Sequence, residues 1–138
     1  MIVLDTNVVS ELMKEVQHPL VLAWFQSLSP VAAVVTNTIT VAEIEYGIQL
    51  LPSGKRRNQL ERNFAAVIDQ FMVIPFDISA AHLAGRFRAK RKSEGVAPAD
   101  SDMMIAGIVA SKNAVLATRN IRDFAGLPIQ AIDPWRMI

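Results

Sequence analysis

Five short apolar runs, each set off from the next by helical or loop sequence, decide most of what this chain can become. The runs are MIVL (strand 2–4), VAAVVT (31–36), FMVIPF (71–76), NAVLAT (113–118) and PIQAI (128–132). Helices are expected near 7–14, 19–28, 40–51, 55–70, 78–94 and 100–112. The runs are continuously apolar rather than alternating, the pattern of strands covered on both faces. Together with the helices they predict an α/β fold with a central parallel sheet flanked by helices on both faces. Only LPSGK (51–55) and KSEGVAPAD (92–100) read as marked loop-like breaks, and no repeat or linker divides the chain. One domain over 1–138 is therefore expected, a length that buries about two-thirds of the unfolded surface.

Composition narrows the classes. The apolar share is 51% and the mean hydropathy +0.28, yet no apolar run approaches the roughly 20 residues of a membrane span. Asp5 breaks the only early apolar stretch and no basic segment precedes it, so neither a membrane anchor nor a secretory leader is expected. There is no cysteine, which removes disulfides and thiolate zinc sites and agrees with a cytoplasmic location. Net charge is +1, but eight of the 14 basic residues fall in Lys55-Arg56-Arg57 and in RFRAKRK (Arg86, Arg88, Lys90, Arg91, Lys92). Such runs are either solvated helix faces or a patch that tracks phosphates.

In parallel α/β sheets, ligands bind beyond the carboxyl ends of the strands. Asp5 ends the first strand there, and an acid at the mouth of a core strand is costly unless compensated. Asp5, Thr6 and Asn7 are all good helix caps. Glu43 closes a capping-box pattern, Thr40-Val41-Ala42-Glu43, and spacing alone does not separate it from Glu45. Asp100 and Asp102 open the helix of APADSDMMIAGIVAS, where the helix dipole favours anions. Asp102 shares a stripe with Ile105, Ala106 and Val109 and so points inward, while Ala106, Gly107 and Ala110 offer a small face that can approach the sheet. Asp123, in TRNIRDF, follows the fourth strand and also suits a turn. Each acid alone has a structural explanation; their convergence on one sheet edge does not. Two carboxylates about 4 Å apart repel by roughly 4 kcal/mol at an effective dielectric of 20. Such a cluster needs protons or a cation. With no cysteine, and with His18 and His82 in structural settings, its oxygen donors suit Mg²⁺ or Mn²⁺. No phosphate-cradling glycine loop and no G-x-S-x-G elbow is present.

MIVLDTNVVSEL, TITVAEIEYGI, ADSDMMIAGIVAS and LATRNIRDFAGLPIQAIDPW, in this order and spacing, resemble the four blocks of PIN-domain ribonucleases of the VapC/FitB toxin type. That resemblance implies a metal-dependent endoribonuclease that leaves a 3′-hydroxyl and a 5′-phosphate. It carries the catalytic acids onto Asp5, Glu43, Asp102 and Asp123, with Asp5 and Asp102 as the Mg²⁺ ligands. Asp102 fills the family's D-x-x-I-A position and Asp100 is an extra acid. Some members carry the fourth acid directly after T-R, where this chain has Asn120, which leaves Asp123. Thr6 and Thr118 would line the site and Asn7 would order the first loop. The basic runs would hold the RNA. The resemblance also implies a cognate antitoxin that places an arginine or lysine among the acids, a homodimer that recruits two antitoxins, and operator DNA bound through the antitoxin. Apolar residues of 40–51 and 55–70 (Ile44, Ile48, Leu50, Leu60, Phe64) are expected to exceed what one sheet covers. The rival readings are a non-catalytic PIN-fold interaction module and an acid-cluster phosphatase or receiver. The phosphatase pattern D-x-D is missing from DTN, and so is the receiver's acid pair.

Overall fold

The apolar runs pair side by side in one parallel sheet. A computed structural model describes residues 1–136, so Met137 and Ile138 of the expected 1–138 domain lie outside the described residues. The strands are β1 (Ile2–Leu4), β2 (Val34–Asn37), β3 (Met72–Ile74), β4 (Val115–Ala117) and β5 (Gln130–Ile132), in the order β3-β2-β1-β4-β5. Val3 sits opposite Val35 on one side and Leu116 on the other. The helices are α1 (Thr6–Leu12), α2 (Pro19–Ser27), α3 (Thr38–Gln49), α4 (Lys55–Ile68), α5 (Ile78–Ser93) and α6 (Asp100–Ser111). A 3-10 turn, Ile121–Phe124, joins β4 to β5.

Side chains alternate across a strand, and here they divide the core in two. Val3, Val35 and Leu116 face α5 and α6, where Ala80, Phe87, Met103, Ile105 and Ile108 complete one cluster. Leu4 and Ala117 face α1, α3 and α4, packing with Val8, Val9, Ile44, Ile48, Phe64 and Val67. Strand order runs outward from β1 in both directions, so the chain changes direction between β1 and β4. That is the crevice where parallel sheets bind ligands.

Several local expectations change. The second strand lies at 34–37 rather than 31–36, and Val31 is exposed. Asn37, not Thr40, caps α3, its Oδ1 accepting from the Thr40 N–H at 2.9 Å, so the Thr40–Glu43 capping box does not form. Ile44, Ile48 and Phe64 are core residues and Leu60 is half-buried; of the five apolar residues expected in excess, only Leu50 is exposed. Gly107 faces α5 and not the sheet: a Cβ there would collide with the Ala80 carbonyl oxygen and lie 3.1 Å from the Ala84 Cβ. His18 caps α2 through Nδ1, a structural role as expected.

Candidate active site

Asp5 follows β1 and is only 4% exposed. Its carboxylate is held on all sides: Oδ1 accepts from the Thr6 N–H at 2.8 Å, and Oδ2 from the Thr118 hydroxyl at 2.7 Å and Asn7 Nδ2 at 3.4 Å. Asp5 thus caps α1 and also faces the crevice. Burial pushes its pKa up, against the lowering effect of the Thr118 and Thr6 hydrogen bonds, and the charge of Glu43 adds to the rise. Asn7 ties the loop to β4 by accepting from the Arg119 N–H at 3.0 Å. Thr118 is fully buried and in turn accepts from the Asn120 N–H at 3.0 Å.

Glu43 arrives from α3. Its Oε1 accepts from the Thr6 hydroxyl at 2.6 Å, whereas Glu45 is exposed and bonds Gln49, so the geometry separates two glutamates that spacing did not. Behind Glu43 runs a buried polar chain. The Thr6 hydroxyl lies 3.2 Å from that of Thr40, Thr40 accepts from Asn37 Nδ2 at 3.1 Å, and Asn37 Nδ2 also reaches the Leu4 carbonyl at 3.3 Å. Buried polar groups persist when their partners are present, and this chain fixes the end of β2 against that of β1. Asn37 and Thr40 were missed from the sequence. The signal available for Asn37 was its place, since TNT closes β2 where DTN follows β1 and TRN follows β4, while Thr40 was read only as a helix cap.

Asp102 is half-buried in the first turn of α6, and its pKa rises from 3.8 to about 6. Desolvation is the main cause, followed by the charges of Asp5, Asp123 and Glu43. Those three acids therefore share one electrostatic neighbourhood with Asp102. Among the described residues no three acids close around a single point that could hold an ion. This donor set still fits a hard cation that keeps several waters, because Mg²⁺ is commonly held by one or two carboxylates.

The family description "PIN domain" matches residues 2–128. The chain belongs to the PIN-domain family. It is 34% identical over 139 residues to "VapC ribonuclease Y4jK" of Sinorhizobium fredii, a match that covers 98% of each chain. It is 34% identical over 138 residues to "Toxin FitB" of Neisseria gonorrhoeae, covering 98% of this chain and 99% of the relative. The fold superposes on "Structure of FitAB bound to IR36 DNA fragment" with a TM-score of 0.84 at 31% identity, over 100% of this chain and 98% of that one.

Around the acids of this PIN domain, the basic run of α5 is not the free patch its sequence suggests. Arg91 is buried: its Nη2 donates to the Asp123 carbonyl at 2.7 Å, and its Nε has no partner among the described residues. Arg88 pairs with Asp100 at 3.3 Å and Lys90 with Glu94 at 3.0 Å. Asp100 is exposed and engaged with Arg88, whereas the rise at Asp102 comes from burial first and then from the charges of Asp5, Asp123 and Glu43. In the other run Arg57 bonds Gln49 and Glu61. Beside Glu43 and Thr6 opens a largely apolar groove between α1, α3 and α4, floored by Ile44, Ile48 and Leu60. No helix among the described residues is long and apolar enough to cross a membrane.

Proposed function

We propose that this PIN domain is a metal-dependent endoribonuclease and the toxin of a toxin–antitoxin pair. The observation that carries the reading is the buried Asp5 carboxylate at the end of the central strand, with Glu43, Asp102 and Asp123 arrayed around it in a chain related along its length to VapC ribonuclease Y4jK. Asp5 and Asp102 would hold Mg²⁺, or Mn²⁺ in its place. When bound, such an ion lowers the pKa of a water and offsets charge that builds up on a phosphate under attack.

The chain's own residues do the rest. Thr118, Asn7 and the Thr6 N–H leave the Asp5 carboxylate one orientation, so no reorganisation is needed when substrate arrives. Glu43, fixed by the Thr6 hydroxyl, retains a second oxygen to accept a proton from a water. Asp123 faces the same neighbourhood from the other side and orients water there. Hydrolysis adds the water's oxygen to phosphorus and breaks the P–O3′ bond, and the 3′-oxygen leaves as a hydroxyl. A non-catalytic module would not require four acids to share one edge at the cost of raising Asp102.

The partner follows from the relatives: FitB is a toxin, and the FitAB complex is bound to DNA. We assign this chain an antitoxin that inserts a basic side chain among the acids, recruits operator DNA and caps a homodimer, all in the cytoplasm. The test is cleavage of single-stranded RNA by the purified chain. Cleavage is expected with Mn²⁺ or Mg²⁺, and none is expected with EDTA or in Asp5→Asn. Undiminished cleavage in EDTA, or in Asp5→Asn, refutes the metal reading.

A further inference from the structure

Beyond Asp123 lies a second recess, of about 500 Å³, walled by Arg119, Arg122 and Arg136 together with Asp123 and Asp133. We propose that it seats a phosphate of the RNA strand flanking the one cleaved, a proposal that rests on the ribonuclease reading above.

Three features carry it. The recess shares Asp123 with the acid cluster, so a strand whose reacting phosphate lies among the acids continues directly into it. Its charge is not cancelled from within. Asp133 is taken up by Arg136 at 3.3 Å and by the Trp135 N–H at 2.9 Å. Arg119 and Arg122, which make no ion pair among the described residues, are left against Asp123 alone. Finally, Arg119 is already arranged for the task. Its backbone N–H is tied to Asn7 and its guanidinium lies 5.1 Å from the centroid of the Trp135 ring. Trp135 is itself packed on the core that contains Leu4 and Ala117. A guanidinium stacked in this way keeps its fork of N–H groups for an anion, and that fork matches phosphate oxygens bidentately. The basic run of α5 is the weaker candidate, because Arg91 is buried and Arg88 and Lys90 are paired.

The test measures binding of a single-stranded oligouridylate to the full-length Asp5→Asn chain, which does not cut it, over a series of salt concentrations. Each phosphate contact on a single strand contributes about 0.7 to the log–log slope. Adding Arg119→Gln and Arg122→Gln is expected to lower the slope by about 1.4. Arg122→Gln alone, which removes no described contact, is expected to lower it by about 0.7. Mn²⁺ binding by the Asp5-intact chain carrying the same two substitutions is expected to stay unchanged. A full slope in both arginine variants, with a reduced one in Arg88→Gln/Lys92→Gln, overturns the recess and returns the RNA to α5. Unchanged RNA binding with lost antitoxin inhibition also overturns it and makes the recess part of the protein interface. If the wild type cuts RNA while these variants keep the full slope, only the recess fails. If it neither cuts nor binds RNA, the functional reading falls and the recess with it.

Discussion

Asp5 and Asp123 flank the same crevice, yet they are held in opposite ways. Asp5 is buried and its carboxylate is gripped by three donors that all come from the DTN and TRN segments. Asp123 is exposed, and what fixes it is its backbone: its carbonyl accepts from Arg91 and its N–H donates to the Asn120 carbonyl at 2.9 Å. One acid is immobilised at its carboxylate; the other rides on a turn pinned from a helix 32 residues away. The difference teaches that a site can be rigid on one side and adjustable on the other, and it separates acids that a motif would treat as equals.

The largest effect should expose that asymmetry. Asp5→Asn is expected to cut RNA cleavage by more than about 100-fold, beyond what loss of a supporting group costs. Asp123→Asn is expected to cut it by about tenfold. Both are to be measured as single-turnover rates at saturating Mn²⁺, and equal losses would break the comparison. Next, Arg91→Met removes the buried guanidinium that holds the Asp123 carbonyl and is expected to lower stability by about 1–2 kcal/mol in urea titrations. Asp5→Asn keeps an oxygen for the Thr6 N–H and is expected to change it by less than about 1 kcal/mol.

A third expectation concerns pH. Asp102 releases its proton near pH 6 when folded and near 3.8 when not. Between these values the folded chain holds more protons, so metal-free stability falls as pH rises through the window and stays low above it. After discounting for partial exposure the loss is about 1–2 kcal/mol. Asp102→Asn should reduce the slope between pH 4 and 6 in thermal melts, leaving what the buried Asp5 adds; a profile that keeps its full slope would place the titrating group elsewhere. Smallest of all, Asp100→Asn breaks only an exposed pair with Arg88. It is expected to change stability by less than about 0.5 kcal/mol and cleavage by less than about threefold, and a loss rivalling that of Asp102→Asn would exchange the roles of the two acids.

The sheet was legible because its signal is local: continuous apolar runs of strand length between helical segments leave few alternatives. Asp5 was legible for the same reason, since an acid interrupting such a run must be accounted for. Glu43 required the structure, because Glu45 lies two residues on and only the hydroxyl of Thr6, 37 residues away, distinguishes them. The α5 run misled in the opposite direction. Five basic residues in seven positions read as one surface, but a helix turns about 100° per residue, which sends Arg91 inward toward Asp123 while Arg86, Arg88 and Lys90 stay exposed. Buried arginine and solvated arginine have the same letter. The start of α3 failed because Asn37, at the last position of a strand, doubles as the cap of the next helix.

Gly107 carries a consequence for genetics. It sets how closely α6, which bears Asp102, can lie against α5, whose Arg91 holds the Asp123 turn. Added bulk at this position pushes the two supports apart and detunes both acids together, though it touches neither. On the toxin reading proposed above, a screen for surviving hosts is expected to return inactivating alleles here as well as at the carboxylates.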